Sequence, residues 1–311
     1  MKTILITGIG SDIAQSIAII IRERFPEWRI IGCDVNIRHG GNLFSDKFIV
    51  SLQASTDQYL PWLEDLVKEE GVSFCIPVSE AELEFFFVNQ IFEIGKAKIL
   101  MANPQSLKIG LDKLQTNQYL KSIGVDVPWT LLSENLNSIP SFPCIFKHRK
   151  GAGSKVLFEC KNREEAIFYS SKYSNGIFQE LLLPSNQEVT CAVYRNKKGK
   201  INILQLLREL DGGFTGWAEV IQDQEVSKQC ELLAEALDLN GSINVQLRIT
   251  ALGPRIFEIN PRFSSTVLMR HMMGFEDVIW SIEELLEINS NFHSPKIGTV
   301  AVRVQGVNII N

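Results

Sequence analysis

Residues 243–265 read INVQLRITALGPRIFEINPRFSS. Two apolar-rich runs, 242–250 and 255–260, flank a Gly-Pro turn, and this pattern predicts a β-hairpin. In the second run Phe257 and Ile259 alternate with Glu258, Asn260 and Arg262, so the period of two puts the three polar residues on one face. With the turn centred on Leu252, Gln246 stands opposite Glu258. Three oxygen-bearing side chains, Gln246, Glu258 and Asn260, then converge beside the Arg262 guanidinium. Oxygen donors suit hard Mg²⁺, which usually keeps phosphate oxygens among its ligands. Arg262 would add charge-assisted bonds to the same phosphates. The bland alternative is an edge hairpin with a solvated polar face.

Two stretches further back point the same way. In CIFKHRKGAGSKVLF (144–158) a strand ending at Lys147 runs into Gly151, Gly153 and Ser154 before a new strand begins. Glycines let backbone approach phosphate, and consecutive amides make an anion-binding nest. No GK[ST] follows and the loop joins strand to strand, so it is not a Walker loop. A soluble hairpin tip remains the competing reading. In FQELLLPSNQEVTCAVY (178–194) Glu180 ends one apolar strand and Glu188 starts the next. The linker's amides could hold a purine edge and Glu188 could accept from ribose hydroxyls, or the segment is a surface connector.

The first hundred residues alternate strands with helices. Strands are predicted at 2–8, 28–36, 72–78 and 97–102, and helices at 11–25, 58–71 and 81–95. That order implies a parallel sheet covered on both faces. TGIGSDIA (7–14) lies in the strand-to-helix position of a dinucleotide turn, and Asp34 ends the second strand where a ribose-binding acid would lie. Ile13 occupies the third glycine position, which weakens the fingerprint. Beyond 103–107 the pattern changes. A helix near 112–122 precedes short strands, a helix at 162–173 and a strand at 175–181; from Gln187 the pattern turns antiparallel, with NKKG (196–199) as a hairpin turn. A helix at 224–238, the hairpin, a helix at 275–287 and a strand near 299–305 complete the reading.

Composition narrows the function classes. The 311 residues carry 31 Lys and Arg against 36 Asp and Glu, a formal charge of -5. Duplex-binding proteins usually carry a basic excess, so no nucleic-acid partner is expected. The most apolar segment near the start is broken by Gly8, Gly10, Ser11, Asp12 and Gln15, so neither a spanning helix nor a signal peptide is predicted. Six cysteines, never closer than 16 residues, offer no zinc ribbon or disulfide framework, and a reducing cytoplasm is the expected compartment.

With these clusters in order, residues from about 106 onward resemble the ATP-grasp superfamily, and residues 1–105 resemble the α/β lobe that precedes it. The resemblance implies an α/β protein: an N-terminal Rossmann-like parallel-sheet lobe (1–105), an ATP-grasp small lobe (106–185) and a C-terminal lobe with a Mg-binding hairpin (186–311). It implies ATP, with Mg²⁺ or Mn²⁺, as cofactors. Lys113 and Lys147 look like the two nucleotide lysines, and GAGS (151–154) like the phosphate-covering loop. Glu180, Leu181, Leu182 and Leu183 match the adenine hinge, and Glu188 the ribose acid. Gln246, Glu258 and Asn260 match the metal ligands, Arg262 the phosphate-stabilising arginine, and Arg208 a second one. Glutamine at 246 resembles the large subunit of carbamoyl-phosphate synthase and its short relatives. The implied activity is a carboxylate–amine ligase acting through an acyl phosphate, with small-molecule partners and a homodimer allowed. Ser264, Ser265 and Thr266 are candidates for the carboxylate site, and Gly10, Ser11 and Glu80 for the acceptor side. A nicotinamide oxidoreductase using the TGIGSD loop, and a non-catalytic ATP-binding protein, are the competing classes.

Overall fold

A computed structural model describes residues 2–151, 156–304 and 306. Its first sheet is built from β1 (Thr3–Thr7), β2 (Arg29–Asp34), β3 (Lys47–Val50), β4 (Val72–Ile76), β5 (Glu93–Ile94) and β6 (Ala97–Ile99), in the order β3-β2-β1-β4-β6-β5. All pairings are parallel except the β5–β6 edge. The helices between strands are α1 (Asp12–Arg24), α2 (Tyr59–Glu70) and α3 (Glu80–Val88). Ser11 caps α1 by accepting from the Ala14 amide, and Gly71 ends α2 at φ 62, a left-handed position that suits glycine. The helix predicted to run to residue 95 stops at Val88. Gln90 takes φ 55 and turns the chain into β5, a break that the unbroken apolar run conceals.

After α4 (Pro104–Gly110) and α5 (Lys113–Ser122) comes a second, antiparallel sheet. It contains β7 (Thr130–Leu132), β8 (Cys144–His148), β9 (Leu157–Cys160) and, after α6 (Arg163–Lys172), β10 (Gly176–Glu180), in the order β7-β10-β8-β9. Along β8 Cys144 and Phe146 enter a core with Phe178 and Ala166. The alternation sends Lys147 to the opposite face.

The third sheet uses β11 (Glu188–Arg195), β12 (Ile201–Asp211), β13 (Phe214–Ile221), β14 (Gly241–Thr250), β15 (Gly253–Asn260) and β16 (Val300–Val302), in the order β15-β14-β11-β12-β13-β16. Helix α7 (Gln224–Ala236) packs Val226, Cys230 and Leu233 on one face. Strand β13 was not foreseen, although the Asp-Gly-Gly turn at 211–213, with both glycines at positive φ, signals its hairpin. Also unforeseen is α8 (Val267–Met272), which precedes α9 (Asp277–Leu285).

These last two helices pack back on the first sheet. Val267, Val278, Ile279 and Ile282 join Ile4, Ile6, Ile17 and Ile21 in one core, so one face of the parallel sheet is closed by residues more than 200 positions downstream. Arg303 fastens the same seam. It bonds Asp12 at the start of α1, the Ser265 carbonyl (2.7 Å) and the Thr215 carbonyl (3.0 Å). Within the seam Arg270 is fully buried against Asp277, which also accepts from Ser242. Burial pushes the Asp277 carboxyl up despite Arg270 and pushes the Arg270 guanidinium down despite Asp277. All six cysteines are buried free thiols. Among the described residues no helix is long and apolar enough to cross a membrane.

Removing one partner of a buried ion pair leaves an uncompensated charge. Asp277→Ala is expected to lower stability by about 3–5 kcal/mol. Urea denaturation reads this as a lower midpoint at constant slope; an unchanged midpoint would show that Arg270 finds another partner.

Candidate active site

The hairpin that decided the sequence reading is present, and its register has an unexpected origin. Next to the turn Thr250 faces Gly253, which by itself would set Gln246 against Phe257. A bulge between Gln246 and Leu247 adds one residue on β15, so Gln246 does face Glu258. The bulge also corrects the predicted alternation. Ile256 and Ile259, not Phe257 and Ile259, enter the core, and Phe257 is left beside Glu258 on the cleft side.

Lys147 comes from the other sheet to meet them. Its Nζ lies 4.0 Å from Glu258 Oε2 and 5.5 Å from the Phe257 ring centre, and the residue is 5% exposed. Burial pushes its ammonium down to about 8, with Lys113 repelling it, while Glu258 and Glu188 pull the other way. Burial by itself would raise the Glu258 carboxyl, but Lys113, Lys147 and Arg262 together hold it below the usual carboxylate range. Asn260 donates to Glu258 Oε1 (3.3 Å), and its amide oxygen faces Arg262 Nη2 (3.4 Å). Lys113 is set by the cap of α5: Asp112 caps the helix and binds Arg149, whose carbonyl accepts from the Lys113 amide. Lys113 Nζ donates to the Gly151 carbonyl at 2.7 Å.

A cleft of about 930 Å³ runs from this cluster to the carboxyl ends of β1, β2 and β4. Lys113, Lys147, Gly151, Glu258 and Arg262 line it, and Ser11, Asp34 and Glu80 line its far side. Two other groups of candidates stand off the cleft wall. Glu188 is bound by Arg208 (2.7 and 3.1 Å) and Arg248 (2.5 Å), and Arg248 also donates to the Leu182 carbonyl. Glu180 accepts from Arg255 (2.9 Å) and from the Trp129 amide, Leu181 is half-buried and Leu183 is exposed. Among the described residues no three His, Cys, Asp or Glu side chains group as metal ligands; Gln246, Glu258 and Asn260 offer one carboxylate and two amides.

The family model described as "ATP-grasp in the biosynthetic pathway with Ter operon" matches residues 181–307. The fold agrees over nearly the whole chain with N5-carboxyaminoimidazole synthetase from Staphylococcus aureus complexed with ADP: TM-score 0.75, 15% identity, 97% of this chain and 80% of that one. The chain has an ATP-grasp-like fold. The biotin carboxylase–β,γ-ATP complex from Campylobacter jejuni matches this chain with a TM-score of 0.74 at 14% identity, covering 96% of it and 74% of the other. In sequence the chain is 25% identical over 241 residues to the carbamoyl phosphate synthase large chain of Campylobacter jejuni. The match takes in 68% of the chain and 22% of that relative, so the chain spans under a quarter of its length.

Some expectations need correction. Ser264 and Thr266 do not line a carboxylate site: both are buried, bonded to each other at 2.8 Å, and Ser264 accepts from Arg270. Arg208 directs Nε and Nη2 to Glu188. Gly153 and Ser154 lie outside the described residues. In the TGIGSD loop the amides of Ile9, Gly10 and Ser11 are occupied by Cys33 O, Asp34 Oδ2 and Gly8 O. A Cβ on Gly10 would come within 2.5 Å of His39 and 2.9 Å of Asp34, so this glycine serves packing; a dinucleotide phosphate would find those three amides taken. Sequence reading missed Arg248 and Arg255. The signal for Arg248 was its place two residues after Gln246 on one strand face, opposite Glu188.

A lysine near 8 ties nucleotide affinity to pH. Phosphates favour the ammonium, so binding takes up a proton wherever free Lys147 is partly neutral. ATP affinity should be flat below about 8 and fall by up to about tenfold per pH unit above it. Lys147→Arg, charged throughout, should flatten the profile, and Lys147→Met should weaken binding by about 1.5–3 kcal/mol. Calorimetry across pH decides; an identical profile in wild type and Lys147→Arg removes Lys147 from the site.

Proposed function

We infer that this protein is an ATP-dependent ligase that activates a carboxylate as an acyl phosphate and joins it to an amine, releasing ADP and phosphate. The observation that carries the reading is the convergence of Lys113, Lys147 and Arg262 on Glu258 at the floor of the cleft. Three cations around one carboxylate suit a polyphosphate. The similar structures with ADP and with an ATP form support the same occupant.

Lys147 and Lys113 would hold the phosphate chain, and the lowered pKa of Glu258 keeps it ionised as a ligand for a divalent cation. The donor set of Gln246, Glu258 and Asn260 fits Mg²⁺ or Mn²⁺, which would neutralise charge on the terminal phosphates. Arg262 lies on the cleft wall where the substrate carboxylate would attack the γ-phosphorus. Positive charge there steadies the transferring phosphoryl group and the acyl phosphate that follows. An amine then forms the C–N bond, and phosphate leaves with the electrons of the C–O bond.

Glu188, held by Arg208 and Arg248, is proposed as the ribose contact, with the segment Glu180–Leu183 against adenine and Gly151, Gly153 and Ser154 over the phosphates. The proposed division is 1–105, 106–185 and 186–311, with ATP between the second and third parts.

The reading predicts ADP and orthophosphate as the primary products when a suitable carboxylate is present, and Glu258→Gln should lower turnover by about 100-fold or more. Chromatography of nucleotides after incubation with Mg-ATP and a panel of carboxylates and amines is the test. AMP and pyrophosphate as primary products would overturn the acyl-phosphate course.

A further inference from the structure

Three large apolar side chains stand open to the cleft. Val35 is 54% exposed, Leu52 38% and Leu157 48%, and all three line it. Val35 and Leu52 lie just past the carboxyl ends of β2 and β3, neighbouring parallel strands joined there by the Ser51 amide on the Asp34 carbonyl. Ligands of open parallel sheets bind outside these strand ends. Leu157 comes from the other wall. It pairs with Lys147 across β8 and β9, and cross-strand partners share a face, so the register that turns Lys147 to the cleft turns Leu157 there too. Phe158, the next residue, packs on the core of the second sheet.

Ile13, Val78 and Val156 extend this lining, so apolar side chains from residues 1–105 and from the second sheet face one space. Single apolar residues scattered on a surface are ordinary, but a set gathered in one cleft beside a few charged groups is the composition of a small-molecule site. The charges have places of their own. Lys113, Lys147 and Arg262 surround Glu258, and Lys150 is paired with Glu84. Asp34, next to Val35, accepts from the Gly10 and Asn36 amides. Hydrocarbon surface therefore begins beside the cations, at Leu157, and is met again at Val35 and Leu52 on the far side.

We propose that the carboxylate substrate is amphiphilic: its carboxylate lies toward Arg262, and it carries an apolar body, larger than a methyl group, between Leu157 on one wall and Val35 and Leu52 on the other. That the anion is the reacting carboxylate rests on the ligase reading above; the apolar body rests on the lining alone. Hydrocarbon placed there takes apolar surface of both partners out of water, and each methylene fully buried is worth roughly fourfold in affinity. A small acid such as acetate would leave the three side chains wet, whereas a larger apolar acid covers them. Leu52 and Leu157 are then specificity-determining residues that act on the body of the substrate.

The test titrates acetate, butyrate, hexanoate and octanoate into wild type, Leu52→Asn and Leu157→Asn, each with Mg²⁺ and a non-hydrolysable ATP analogue, followed by ligand-observed NMR. Wild-type affinity should rise by about two- to fourfold per methylene. Either substitution should lower the octanoate-to-butyrate affinity ratio by about fivefold or more. The wild-type series needs no variant, and thermal midpoints show whether each variant is folded. Leucine and 4-methylpentanoate differ only in the α-ammonium, so the tighter of the two tells an apolar amino acid from a simple acid, and at least one must bind more tightly than acetate. No gain with chain length in wild type overturns the proposal, as does an equal gain in wild type and both folded variants, the mark of nonspecific adsorption. ADP release is then followed with Mg-ATP, the carboxylates that bind, and ammonium or hydroxylamine. Chain-length-dependent binding without ADP release overturns the ligase reading but not the apolar site.

Discussion

Lys147 and Glu258 meet where the second and third sheets face each other, and most of what this protein can do depends on that meeting. Neither side chain has much solvent, and neither belongs to the same sheet as the other. Lys113 and Arg262 bring two further cations, so the local charge is positive even with Glu80 counted beside Glu258. An excess of buried charge is unfavourable unless something compensates it. A fold that keeps such an excess has a standing affinity for an anion, and the cleft determines how large that anion can be.

The cluster can persist because the seam around it is rigid. Helices α8 and α9 complete the core beneath the first sheet, and the chain between β15 and α8 carries Arg262. That connecting segment is fixed by Arg270 through Ser264 and by Arg303 through the Ser265 carbonyl. Arg303 also holds Asp12 of α1. The residues once considered for substrate contact, Ser264 to Thr266, thus hold Arg262 at the junction of the first and third sheets. A guanidinium that must face both Asn260 and Glu80 needs that restraint.

Local pattern made much of this legible. Period-two and period-3.6 runs placed most of the alternating strands and helices of residues 1–105, β3 and β5 excepted, and the residue types around 246–262 marked the cleft hairpin. What stayed hidden depended on backbone irregularity or on distant partners. The β15 bulge exchanges Phe257 for Ile256 in the core, and no alternation rule anticipates an extra residue. The positive φ of Gln90 ends α3 inside an apolar run. Arg208 and Arg248 share Glu188 only because β11, β12 and β14 are neighbours, a fact of topology. Short helices such as α8 carry too few residues for a period to show.

Helix α3 shows why site chemistry is harder to read than fold. Glu80, Glu82 and Glu84 share residue type, helix and spacing, and a sequence treats them alike. Ser79 caps the helix through the Glu82 amide, and its hydroxyl also donates to the Glu82 carboxylate, so the two residues fix the first turn. With Glu82 anchored to Thr7 and Tyr59, the helical rotation carries Glu84 outward to Lys150 and Glu80 inward to Arg262. One anchored carboxylate therefore decides the environment of the other two. The same residue type gives a structural group, a surface ion pair and a cleft carboxylate facing Arg262 within two turns, and only the partners separate them.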